Sequence, residues 1–283
     1  MDNSPIGIFD SGYGGLTVLR EVVDLLPKYD YLYLGDNARS PYGTRSFQTV
    51  YEYTRECVFK LFDMGCPLVI LACNTASAKA LRTIQQKDLP KMDPKLRVLG
   101  VIRPTAEIIG NYTTSNKVGV LGTLGTVVSG SYPLEVAKTF PHVDVFQQAC
   151  PMWVPLIENN EHLGRGADYF VKEYVERLME QEPEIDTILL GCTHYPLLAD
   201  KIQQFLPTQV RLLSQGEIVA ESLKDYLKRH PEMERLFSQN KSRKFLTTDD
   251  VANFDEHASI FFGSEVNSEY CAIPPVHKTG DFQ

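Results

Sequence analysis

No apolar run in the 283 residues approaches the ~20 that a membrane-spanning helix needs, so no membrane partner is expected. Neither a G-x-G-x-x-G turn nor a Walker lysine is present, which removes the usual nucleotide fingerprints. Basic residues are outnumbered, 28 Lys and Arg against 36 Asp and Glu, for a net charge of −8. A general nucleic-acid surface depends on clustered cations and is not expected here. The densest basic group, Lys241-Ser-Arg-Lys244, reads as a solvated turn. The six cysteines (Cys57, Cys66, Cys73, Cys150, Cys192 and Cys271) form no C-x-x-C pair and no disulfide-rich spacing. Free thiols in a reducing compartment are the default for such a pattern. The chain opens with Asp2 and Asn3 and soon enters Ile6-Gly-Ile-Phe9, so no signal peptide is expected and the reading is cytoplasmic.

What is present is an ordinary globular composition, 43% hydrophobic and 23% charged, long enough for one large or two modest domains. Residues 6–9 read as a strand, followed by the glycine-rich turn Asp10-Ser-Gly-Tyr-Gly-Gly and a helix over 16–26 that Pro27 stops. Strand, glycine turn and helix make an anion-binding corner suited to a carboxylate or a phosphate. A strand over 31–34 leads into a loop holding Pro41-Tyr42-Gly43, which is either a packed turn or a binding loop. Helix 47–64, strand 68–72, helix 76–87 and strand 98–102 complete a first βα set. A second set repeats the figure: strand and Gly/Thr turn at 117–127, strand 143–146, a buried loop 150–159 ending in Glu158, helix 166–181 and strand 187–191. A helix after Leu197, strand 210–213, helix 216–228, strand 245–249 and an amphipathic stretch 251–262 follow. The expected fold is α/β, with two doubly wound domains in a pseudo-twofold relation around an interdomain cleft. Residues 1–98 with 209–267 form the first domain, 99–208 the second, and 268–283 a polar tail.

Two strands end alike. Leu68-Val-Ile-Leu-Ala runs into Cys73-Asn74-Thr75, and Ile188-Leu-Leu-Gly runs into Cys192-Thr193-His194. Ligands of open α/β sheets collect beyond such strand ends. Cys57, Cys66, Cys150 and Cys271 read instead as small core residues. Four readings of the matched pair compete. They are two unrelated core thiols; a zinc site with His194, although Cys-Thr-His lacks the usual spacer; a single cysteine nucleophile; or two thiols on opposite faces of one substrate. The last arrangement removes a proton from one side and returns one from the other, which inverts a stereocentre by general acid–base catalysis. The nearby groups suit an amino acid. Asn74, Thr75 and Thr193 offer donors for a carboxylate, Asp10 an acceptor for an ammonium group. His194 is placed to tune Cys192, and Glu158 to orient His194. No lysine lies beside either cysteine, so no pyridoxal cofactor is inferred.

The stretches Gly7-Ile-Phe-Asp-Ser-Gly-Tyr-Gly-Gly-Leu-Thr17, Pro41-Tyr42-Gly43, Ala72-Cys-Asn-Thr-Ala76, Gly119-Val-Leu-Gly-Thr123, Cys150-Pro151 with Val154-Pro155 and Glu158, and Leu190-Gly-Cys-Thr-His-Tyr-Pro-Leu-Leu198 occur in this order over nearly the whole chain. In them the sequence resembles the glutamate racemases, cofactor-independent enzymes that make D-glutamate for bacterial peptidoglycan. The resemblance implies that Cys73 deprotonates D-glutamate and Cys192 deprotonates L-glutamate, with neither metal nor cofactor. It implies that Asp10, Ser11, Tyr42, Gly43, Asn74, Thr75, Thr193 and His194 hold the substrate, with Pro41 and Thr126 as further contacts. A homodimer is the expected assembly. Arg103-Pro-Thr105 stands where the family commonly has a proline–glycine pair, and Tyr13 replaces a smaller aliphatic residue. The runner-up enzyme is an aspartate racemase of the same superfamily. The alternative of another class is an amino-acid sensor with silent thiols.

Overall fold

The apolar runs assemble into two parallel sheets. The computed structural model describes residues 4–274. The strands are β1 (Ile6–Asp10), β2 (Tyr31–Gly35), β3 (Leu68–Leu71), β4 (Arg97–Gly100), β5 (Lys117–Gly122), β6 (Asp144–Ala149), β7 (Thr187–Gly191), β8 (Arg211–Leu213), β9 (Arg243–Thr247) and β10 (Ser268–Tyr270). Among the described residues one sheet has the order β10-β9-β2-β1-β3-β4 and the other β6-β5-β7-β8. Every strand pairing in them is parallel. Parallel neighbours need crossover connections, and helices such as Leu16–Leu25, Phe47–Asp63 and Arg165–Gln181 supply them. With helices on both faces, β1, β2, β3 and β7 are buried at every residue. That double burial is why they read as continuous apolar runs and not as alternating ones.

The topology decides where a ligand can sit. β1 is flanked by β2 on one side and β3 on the other, and β5 by β6 and β7. At each of these points the winding reverses, and the loops beyond the carboxyl ends part to leave a crevice. The crevice of the first sheet receives Asp10 and Cys73, and that of the second receives Cys192. One apolar cluster runs from Ile8 and Leu19 in the first layer to Trp153, Leu190 and Tyr195 in the second, so the two layers share packing.

Five expectations are corrected. β8 pairs with β7, so the second sheet reaches Leu213, beyond the expected boundary at 208. Its composition marks a strand, but sheet membership is not a local property. Residues 268–283 do not begin as a tail: β10 pairs with β9 at the sheet edge. A polar strand can occupy an edge, where no apolar pattern is required; the remainder, 275–283, lies outside the described residues. The expected loop at 150–159 contains the helix Trp153–Glu158, because Pro155 stands in its first turn, where a missing N–H costs nothing. Helix 76–87 is instead Asn74–Lys79, the turn Leu81–Thr83 and a wider π-type turn Ile84–Asp88. Of Lys241 to Lys244, the last two residues open β9.

Trp153 is fully buried, donates from its indole N–H to the Phe170 carbonyl at 3.2 Å, and meets the Tyr195 ring edge-on at 4.8 Å. Trp153→Ala removes that volume from the second layer and is expected to cost about 3–5 kcal/mol. The urea midpoint followed by far-UV circular dichroism should fall accordingly; an unchanged midpoint would contradict this packing.

Candidate active site

Cys73 takes its position from the end of β3. The chain turns there into the helix Asn74–Lys79, and Cys73 is the residue that caps it. Its Sγ accepts from the Ala76 N–H at 3.4 Å and lies 3.5 Å from Ser11 Oγ. Burial pushes the thiol up to about 12, the Asp10 carboxylate adds to the rise, and the Ser11 and Ala76 hydrogen bonds oppose it. Asp10 itself is buried; its Oδ2 accepts from the Gly12 N–H at 3.0 Å, and its Oδ1 has no hydrogen-bond partner. Burial raises its pKa, against the opposing pull of His194.

Cys192 follows β7 directly and is equally buried. Its Sγ lies 3.9 Å from His194 Nδ1, and His194 Nε2 is 3.0 Å from Glu158 Oε1. Burial works against a charge on His194. Its hydrogen bonds to Cys192 and Glu158, with the charges of both, outweigh that penalty and raise its pKa to about 10. The imidazolium therefore donates toward the sulfur from one nitrogen and to the carboxylate from the other. Phe261 packs edge-on against the ring at 5.1 Å. The glycine turn of the first layer closes over this group. A Cβ on Gly14 would collide with Thr193 Oγ1 and His194 Nδ1, so only glycine allows the approach. Thr17 Oγ1 then donates across the layers to the Thr193 carbonyl at 3.0 Å.

The two thiols line one cavity of about 100 Å³, several times the roughly 10–15 Å³ that one water requires. Ser11, Pro41, Tyr42, Gly43, Asn74, Thr75, Glu158, Thr193 and His194 line it too, so most residues singled out from the sequence come together. Two do not reach the wall. Asp10 stands behind Ser11 and Cys73, and Thr126 is fully buried behind Thr123, whose Oγ1 is 3.1 Å from Thr126 Oγ1 and 2.9 Å from Thr75 Oγ1. Tyr42 reaches the wall, but its hydroxyl is spent on Asp36. It has no hydroxyl donor left for a ligand. The Ser40–Pro41 peptide beside it is cis. Tyr13 stacks on His257 and Phe261, and Arg103 is an exposed ion-pair partner of Glu107 at 2.6 Å. Sequence reasoning missed Tyr132 and Gln215, which bond to the two ends of the Asn74 amide. Nothing local marks a tyrosine or glutamine as a long-range partner. Among the described residues no group of three His, Cys, Asp or Glu side chains is placed to hold a metal ion.

The His194 shift has a pH consequence. Its folded pKa, about 10, lies above the ordinary 6.5, so the stability it contributes is complete below pH 6.5 and is lost as pH rises through 10. Histidine-labelled NMR should find the ring charged through pH 9. The stability difference between wild type and His194→Asn should shrink over the same window. Titration near 6.5 would contradict the Glu158–His194–Cys192 arrangement.

Known proteins share this architecture. The Asp/Glu/Hydantoin racemase family model matches residues 6–223. The glutamate racemase of Roseobacter denitrificans is 43% identical over 266 residues, covering 90% of this chain and 96% of that protein. Among solved structures, a glutamate racemase isoform of Bacillus anthracis superposes with a TM-score of 0.87 at 33% identity, covering 97% of this chain and 99% of its own. The glutamate racemase of Francisella tularensis, solved in complex with D-glutamate, gives 0.84 at 31% identity, covering 96% and 99%. With a family match over most of its length and similarity along nearly all of it, this chain belongs to the glutamate racemase family of the aspartate/glutamate racemase superfamily and is an isomerase.

Proposed function

We propose that this protein interconverts L- and D-glutamate with two thiols and no cofactor, supplying D-glutamate for peptidoglycan in the cytoplasm. The observation that carries the reading is the pair of strand-terminal cysteines, one from each sheet, lining a single cavity. In one direction the Cys73 thiolate takes the α-proton of D-glutamate while the Cys192 thiol delivers a proton to the other face. In the reverse direction Cys192 is the base and Cys73 the acid. One proton enters and one leaves, so no redox partner is needed. A thiol held at high pKa is a strong base once ionised, which suits a weakly acidic carbon acid.

The two sides are equipped differently. Ser11 and the Ala76 N–H support a thiolate at Cys73, and the Asp10 carboxyl, behind the cavity wall, acts on the substrate's ammonium group through its charge and not by direct contact. At Cys192 the charged His194, held by Glu158, performs the supporting role. Asn74, Thr75, Thr193, Tyr42 and Gly43 line the cavity and are assigned the substrate carboxylates in this reading. A homodimer completes the proposal.

D-glutamate incubated with the protein in D2O, with a chelator and without pyridoxal phosphate, should lose its α-proton NMR signal while L-glutamate appears by circular dichroism. Aspartate run in parallel should exchange far more slowly; faster exchange of aspartate would replace glutamate as the substrate. Cys73→Ala and Cys192→Ala should each lower turnover by roughly 10²–10⁴-fold, the range of one acid–base group. Full turnover in either variant would remove the two-thiol mechanism.

A further inference from the structure

Behind the pocket wall three buried side chains close a ring. The Tyr132 hydroxyl donates to Asn74 Oδ1 at 2.6 Å, Asn74 Nδ2 donates to Gln215 Oε1 at 2.7 Å, and Gln215 Nε2 donates to the Tyr132 oxygen at 2.7 Å. All three residues are buried. The direction of the ring is dictated from outside it. Gln215 Nε2 also faces Thr105 Oγ1 at 3.0 Å and the Val101 carbonyl at 3.3 Å. A backbone carbonyl only accepts, and Thr105 gives its own proton to that same carbonyl at 3.0 Å. The amide atom of Gln215 on this side must therefore be nitrogen. Its oxygen then faces Asn74, which has to answer with its NH2 group and turn its own oxygen to Tyr132.

The consequence falls on the cavity. Asn74 lines it, one residue from Cys73. The ring uses one N–H of its amide and leaves the other as a donor. Were the amide reversed, an oxygen would take that place and repel a carboxylate. Gln215 is also placed to hold the layers together at this point. It lies between β8 and the helix Gly216–Arg229, in one connection between the sheets, while Val101 and Thr105 lie in the other, between β4 and β5.

We propose that Gln215 is a positioning residue, which through Asn74 aims an N–H donor at a carboxylate of the bound amino acid. This rests on the reading of the cavity as an amino-acid site. A leucine at 215 fills similar volume but lets the Asn74 amide turn over, and Tyr132→Phe cuts the ring at a second place.

Steady-state kinetics of the full-length Gln215→Leu and Tyr132→Phe variants with both enantiomers test it. KM should rise about tenfold or more, as for one hydrogen bond to a charged group, while kcat stays within about threefold. A merely structural role would lower the melting temperature and the active fraction, hence kcat, and leave KM alone; that result overturns the proposal. Should Gln215→Leu fail to fold, Gln215→Met decides. It is unbranched like glutamine but offers the Asn74 amide no oxygen to answer, so KM should again rise about tenfold or more, and an unchanged KM would overturn the role. Wild type that binds and turns over no glutamate would sink the functional reading and this inference with it, whereas turnover with unchanged KM in the variants sinks only Gln215.

Discussion

Everything at the centre of this molecule depends on how ionisable groups are kept out of water without being left alone. A buried charge is costly unless a partner replaces its hydration. Cys73, Asp10, Cys192 and His194 are all nearly inaccessible, and each is answered by a specific group. The Ala76 N–H and Ser11 attend Cys73, the Gly12 N–H attends Asp10, and Glu158 with Cys192 attends His194. Only Asp10 Oδ1 in this set lacks a partner. Low dielectric strengthens each of these interactions and makes each omission expensive, so the site is rigid where it is satisfied and receptive where it is not.

That constraint explains why the two layers are pressed so close. A cavity can exclude water only if the loops of one sheet cover the strand ends of the other. Gly14 permits contact with Thr193 and His194 that any side chain would block. Thr17 bonds to the Thr193 carbonyl, Thr75 meets Thr123, and Asn74 joins Tyr132 and Gln215. Each is a contact across the layers, and each touches or adjoins a cavity-lining residue. The polar groups that orient a ligand are thus also those that hold the halves in register, and substitution at one is felt as geometry at the other.

The sequence by itself determined the strands, the glycine turn and the matched cysteines, because these are local properties. A strand buried on both faces must be a continuous apolar run, as Leu68 to Leu71 is. A thiol just beyond such a run must stand at a sheet's carboxyl end. Tertiary structure alone decided the rest. β8 joined the second sheet and β10 the edge of the first, since sheet membership is chosen by partners far away in the chain. Pro155 entered a helix, since what matters is its place in the first turn. The Tyr42 hydroxyl was taken by Asp36 and Thr126 sank behind Thr123, since residue type says which bonds are possible but not which neighbour claims them. Gln215 carried no signal at all. Its significance comes from a carbonyl more than a hundred residues away that can only accept, and a constraint of that kind exists only once the chain has folded.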